Sequence, residues 1–132
     1  MSAKIAPESS ATVRTGILLS LPIKIVSEAN NREHWAAKHR RKKAQQEEIW
    51  AAWPRRQKVQ LPCKVIFTRY GQKMLDGDNL QNAFKGCRDM VAKLIGVDDG
   101  QTDLITFVYE QVALKKRTFS IDIEVVSCQI PA

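Results

Sequence analysis

Hydrophobic and polar positions alternate along this chain in two distinct periods. From Asn79 to Ile95, Leu80, Ala83, Phe84, Cys87, Val91, Leu94 and Ile95 recur at helical spacing and form one apolar stripe. Asp78 is a good N-cap for that helix, and Gly96 a good residue to follow its end. From Thr118 to Val126, Phe119, Ile121, Ile123 and Val125 alternate with Ser120, Asp122 and Glu124, the pattern of a strand with one wet face. Gln60 to Tyr70 and Leu104 to Glu110 read as two further strands, the former apolar on both faces. Gly16 to Val26 reads as a first strand, placed at an edge or bulged because Pro22 cannot donate to a ladder.

Arg32 to Trp53 is predicted as a helix, capped by Asn30 or Asn31 and ended by Pro54. Trp35, Gln46, Ile49, Trp50 and Trp53 fall near one stripe, but the apolar density lies in the last two turns. The C-terminal half therefore docks on a core, and the N-terminal half projects into solvent or onto a ligand. The order strand, helix, strand, helix, strand, strand predicts an α+β fold: a two-layer, mixed β-sheet of about four strands with two main helices packed on one face. Lys115, Lys116 and Arg117 are expected at the tip of an antiparallel hairpin joining the last two strands.

At 132 residues the chain fits one domain. Residues 1–14 read as a flexible leader and residues 15–132 as the domain. No apolar run approaches the roughly 20 residues of a membrane helix. Cys63, Cys87 and Cys128 show no paired spacing, which argues against a disulfide framework or a zinc site and suits a cytoplasmic location. His34 and His39 are not four apart, so they do not form a helical metal pair.

The net charge of +7 is concentrated. Between Asn30 and Lys58, nine Lys or Arg stand against three Glu, leaving +6 in that segment. Such a field steers polyanions and supports contact with a nucleic-acid backbone, although a solvated helix face has the same composition. Trp35 fits either a base-stacking role or ordinary packing.

Against this background two acidic clusters stand out, Asp76-Gly77-Asp78-Asn79 and Asp98-Asp99-Gly100. Carboxylates gathered this way suit a hard cation such as Mg²⁺, which takes one or two of them and leaves positions for water or phosphate. A calcium loop is excluded, because Gln81 and Cys87 stand where glycine and glutamate are required. No glycine-rich phosphate loop and no nucleophile with a histidine partner are present. Turns and caps also explain acids of this kind, but Asp98 and Asp99 lie at the negative end of a helix dipole. On the predicted helix, Asp78, Asn82, Lys85 and Asp89 share a polar stripe, and side chains lean toward the N-terminus. Lys85 is thereby aimed at Asp78, where it would neutralise charge on a phosphate.

Taken together, these motifs resemble the RusA family of Holliday junction resolvases, particularly its phage-type members. The matching pieces are Asn31-Arg32-Glu33-His34-Trp35-Ala36, Lys42-Lys43-Ala44-Gln45, Asp76-Gly77-Asp78-Asn79-Leu80, Phe84-Lys85 and Gly96-Val97-Asp98-Asp99-Gly100, spread over residues 20–126. The resemblance implies a Mg²⁺-dependent endodeoxyribonuclease, with Mn²⁺ as a substitute, that acts as a homodimer on branched DNA. It implies metal ligation by Asp76, Asp78 and Asp99 with Asp98 adjacent, and catalysis by Asp76, Asp78, Asp99 and Lys85. The best-known members carry the lysine four residues after the second aspartate, which here is Asn82; Lys85 is the nearest lysine. DNA contacts are expected from Arg32, Lys38, Arg40, Arg41, Lys42, Lys43, Lys115, Lys116 and Arg117. A degenerate relative that binds branched DNA without cutting it is the alternative.

Helix length adds a constraint. A straight helix over Asn79–Ile95 is about 25 Å long, and Gly96 to Asp99 reach back only about 12 Å. Asp99 then joins Asp76 and Asp78 only if the helix bends or ends early, near Gly86, or if Asp99 comes from a second subunit. The shared site is the expectation.

Overall fold

A computed structural model of the chain describes residues 16–26, 35–98, 101 and 103–127. The elements in order are β1 (Ile17–Leu21), α1 (Trp35–Ala52), β2 (Cys63–Gly71), α2 (Gly77–Ala83), α3 (Lys85–Ile95), β3 (Ile105–Ala113) and β4 (Ser120–Ser127). They form an α+β fold with one four-stranded mixed sheet in the order β1-β4-β2-β3. β4 pairs antiparallel with both β1 and β2, and β2 pairs parallel with β3. A parallel pair needs a crossover, and α2 and α3 supply it.

The strand order corrects one expectation. β3 and β4 are not neighbours, so Lys115–Arg117 is not a hairpin tip. The chain from Ala113 instead passes the end of β2, where the Leu114 amide donates to the Gly71 carbonyl at 2.8 Å, and β4 enters between β1 and β2. β4 carries Ile121, Ile123 and Val125 on one face, all fully buried, and Ser120, Asp122 and Glu124 on the other. β1 lies at an edge and stops at Leu21, immediately before Pro22.

The core lies between the helices and one sheet face. Ile17, Leu19, Val65, Phe67, Ile105, Ile121, Ile123 and Val125 meet Ile49 of α1, Trp53 just after it, and Leu80, Ala83, Phe84, Cys87 and Val91 of the crossover. Phe67 stacks on Phe84, with ring centroids 4.9 Å apart. The apolar stripe thus packs as its spacing predicts, but not as one helix. Phe84, at φ −91° and ψ 1°, interrupts it; its amide is shared between the Leu80 and Gln81 carbonyls. Gly96 ends α3 in the left-handed region at φ 95°, as expected of a residue following a helix.

In α1 the buried positions are Gln45 and Ile49, with Trp53 buried just after the helix, while Trp35 and Trp50 are 74 % and 53 % exposed. The stripe expected to include both of those tryptophans is therefore narrower. Trp35 stacks on His39 at 5.5 Å, and Trp50 takes the Arg55 guanidinium over its ring at 3.9 Å. The expected caps Asn30 and Asn31, together with Arg32 and His34, lie outside the described residues, as do the leader and Cys128. Cys63 and Cys87 are both buried.

Candidate functional site

The acidic turn is built by the crossover. β2 ends at Gly71, and five residues later Asp76 opens α2 in an extended conformation, φ −61° and ψ 154°. Asp76, not Asp78, is the residue that precedes the helix; Asp78 lies in the first turn. The Asp76 carbonyl accepts the first helical hydrogen bond, from the Leu80 amide at 2.8 Å, but its carboxylate makes no capping bond. Both Asp76 and Asp78 are exposed. Capping thus does not account for the Asp76 side chain, and the two acids stand beyond the carboxyl ends of a parallel strand pair, where α/β crossovers commonly place ligands.

Gln111 of β3 fixes the approach to this turn. Its side-chain oxygen accepts from the Leu75 amide at 2.9 Å, and its side-chain nitrogen donates to the Leu75 carbonyl at 2.7 Å. The amide group replaces a strand partner and holds the residue just before Asp76. Nothing in the local pattern marks Gln111, because its partner is 36 residues away.

Lys85 begins α3, beyond the break at Phe84. The stripe from Asp78 to Lys85 presupposes one continuous helix, so the inference that Lys85 leans toward Asp78 loses its basis. Lys85 instead lines a cleft of about 430 Å³ with His39, Lys42, Lys43 and Gln46 of α1 and with Gly86 and Asp89. Gln46 donates to the Gly86 carbonyl at 3.0 Å and ties the two helices together there. Three lysines therefore converge from two elements. Arg40 and Lys43 are exposed, and Lys38, Arg41 and Lys42 are half-buried, so the basic half of α1 is only partly free of its surroundings.

The second acidic cluster is described only at Asp98. Its amide donates to the Gln101 side-chain oxygen at 2.9 Å, and its carbonyl accepts from the Gln101 amide, a closed turn after Gly96. Asp99 lies outside the described residues. Among the described residues no three of His, Cys, Asp and Glu form a group able to hold a metal. The straight helix on which the expectation of a shared site rests is interrupted at Phe84, two residues before Gly86.

The segment 22–26 crosses the buried sheet face with Ile23 and Ile25 inward, and its carbonyls are met by two buried polar side chains. Gln45 donates to the Lys24 carbonyl at 3.2 Å, and Arg69 donates through Nε to the Ile25 carbonyl at 3.0 Å. Arg69 also donates to the Lys73 carbonyl at 2.6 Å, and burial lowers its pKa. The chain matches no family model and no curated protein.

Proposed function

We propose that the protein is a metal-dependent, structure-selective endodeoxyribonuclease of the RusA type, cutting four-way branched DNA as a homodimer. The observation that carries this reading is the Asp76–Asp78 pair: two exposed carboxylates at a strand-to-helix turn, with Asp76 making no capping bond and Gln111 holding the residue before it. Hard oxygen donors of this kind fit Mg²⁺, which keeps waters in its remaining positions. Asp76 and Asp78 would hold it, with Asp99 as the further ligand implied by the family resemblance. When bound, Mg²⁺ supplies an activated water and offsets charge at phosphorus.

The chain's own residues supply the rest. Lys42, Lys43 and Lys85 offer a positive cleft for the DNA backbone, and Arg40 adds an exposed cation on α1. The homodimer is what the family resemblance implies, and its two-fold symmetry would present two equivalent sites to a four-way junction. The alternative, a branched-DNA-binding protein without catalysis, is favoured by one observation: Lys85 lines a cleft with lysines and not with Asp76 or Asp78.

Cleavage of a synthetic four-way junction, beside matched linear duplex, tests both. Paired nicking of the junction alone, dependent on Mg²⁺ and lost in Asp76→Asn and Asp78→Asn, is the expected result. Tight junction binding without cutting under Mg²⁺ or Mn²⁺ overturns the nuclease and establishes the binding protein.

A further inference from the structure

At the same end of the sheet as the acidic turn, a cleft of about 460 Å³ opens between segment 22–26, the end of β2 and the 114–119 connection. Its size is that of small-ligand pockets, about 300–1,000 Å³. Lys24, Arg69, Lys73 and Arg117 line it, with Gln72, Thr118 and Phe119, and no carboxylate does among the described residues.

Two features give this cleft a ligand. Arg69 is only 9 % exposed, and among the described residues its hydrogen bonds go to two neutral carbonyls. A buried cation normally has an anionic partner. The guanidinium lies flat against Gly71, where an added Cβ would come to 3.0 Å from it, so only glycine leaves the space that holds it. The second feature is Phe119. Strand alternation assigns it to the core, yet it lies just before β4 begins, 47 % exposed, with Lys24 Nζ 5.4 Å from its ring centre. Cations tracking a backbone beside an exposed ring are how proteins hold single-stranded nucleic acid.

The geometry points to a site for an unpaired nucleotide, its phosphate held by Arg69, Lys73 and Arg117 and its base stacked on Phe119. This rests on the nucleic-acid reading above and adds a strand-specific contact to it. Lys73 is three residues from Asp76, at most about 11 Å between Cα atoms. A strand that leaves its duplex near the acidic pair therefore reaches the cleft at once. The site selects DNA whose pairing is broken beside the scissile phosphate.

Fluorescence anisotropy with the full chain tests this, using labelled oligothymidylate, the same strand with abasic sugars, and blunt duplex. Phe119→Ala should weaken oligothymidylate binding about 5- to 150-fold, the range for loss of one stacked base. It should leave duplex and abasic strand unchanged, and Phe119→Tyr should bind oligothymidylate like wild type. Arg117→Ala should weaken oligothymidylate and abasic strand alike and lower the salt slope by about one contact. Equal binding of oligothymidylate by wild type and Phe119→Ala, or equal losses on all three probes, overturns the site. Junction cutting in the same preparations separates the two claims: cutting with no effect of Phe119→Ala rejects the nucleotide site alone. A Phe119 effect without cutting rejects the nuclease and keeps the site.

Discussion

Gln111 and Leu75 are joined by two reciprocal hydrogen bonds, 2.9 and 2.7 Å, between a side-chain amide on β3 and the backbone of the acidic turn. The pair acts as one rung of sheet beyond the end of β2 and sets where Asp76 begins. Gln111→Ala should speed hydrogen exchange at the Leu75 amide and slow junction cutting about 10- to 100-fold, as loss of a supporting contact does at metal sites. Junction affinity should be unchanged. Gln111→Glu keeps the acceptor and loses the donor, and should fall between the two. An unchanged cutting rate with faster exchange would show that the turn does not need this anchor.

Cys87 gives a pH signature. Burial against the sheet pushes its thiol from the ordinary 9 up to about 12. A raised pKa in the folded state means that folding favours the protonated form. The stability it contributes is whole below pH 9 and is lost as pH rises toward 12. Denaturation of wild type beside Cys87→Ala should show a constant difference up to pH 9. Above that, wild type should lose about 1.4 kcal/mol per pH unit relative to the variant. A parallel pair of curves would mean that Cys87 is less buried than the structure shows.

Tyr109 stacks on Phe67 at 5.7 Å, and its buried hydroxyl has no hydrogen-bond partner among the described residues. Tyr109→Phe keeps the ring contacts and removes a desolvated polar atom. It should raise unfolding stability by about 1 kcal/mol, read from denaturant midpoints at constant slope. A loss of stability would reveal a partner for the hydroxyl.

The basic half of α1 should act through charge alone. Arg40→Ala combined with Lys43→Ala is expected to reduce the slope of log affinity against log salt by about 1.8, or 0.9 per phosphate contact. The loss should be the same for junction and duplex. A loss confined to the junction would assign these residues to branch recognition.

What the sequence determined by itself is what short-range periodicity can encode. The stripe from Leu80 to Ile95, the alternation of β4, the stop of β1 before Pro22 and the glycine after α3 all follow from neighbours within a turn or a strand. The pairing of acids at Asp76 and Asp78 is equally local. The tertiary structure alone decided the rest. β4 lies between β1 and β2, where both its edges find backbone partners far off in sequence, and that order carries Lys115–Arg117 past the end of β2. Phe84 interrupts the helix where it packs on Phe67, and Lys85, just beyond it, lines a cleft with Lys42 and Lys43 of α1. Arg69 reads as a misplaced polar residue on an apolar strand face until the Ile25 carbonyl, 44 residues away, is set against it. In each case the deciding partner is remote in sequence, and only the closed fold brings it within reach of a hydrogen bond or a ring.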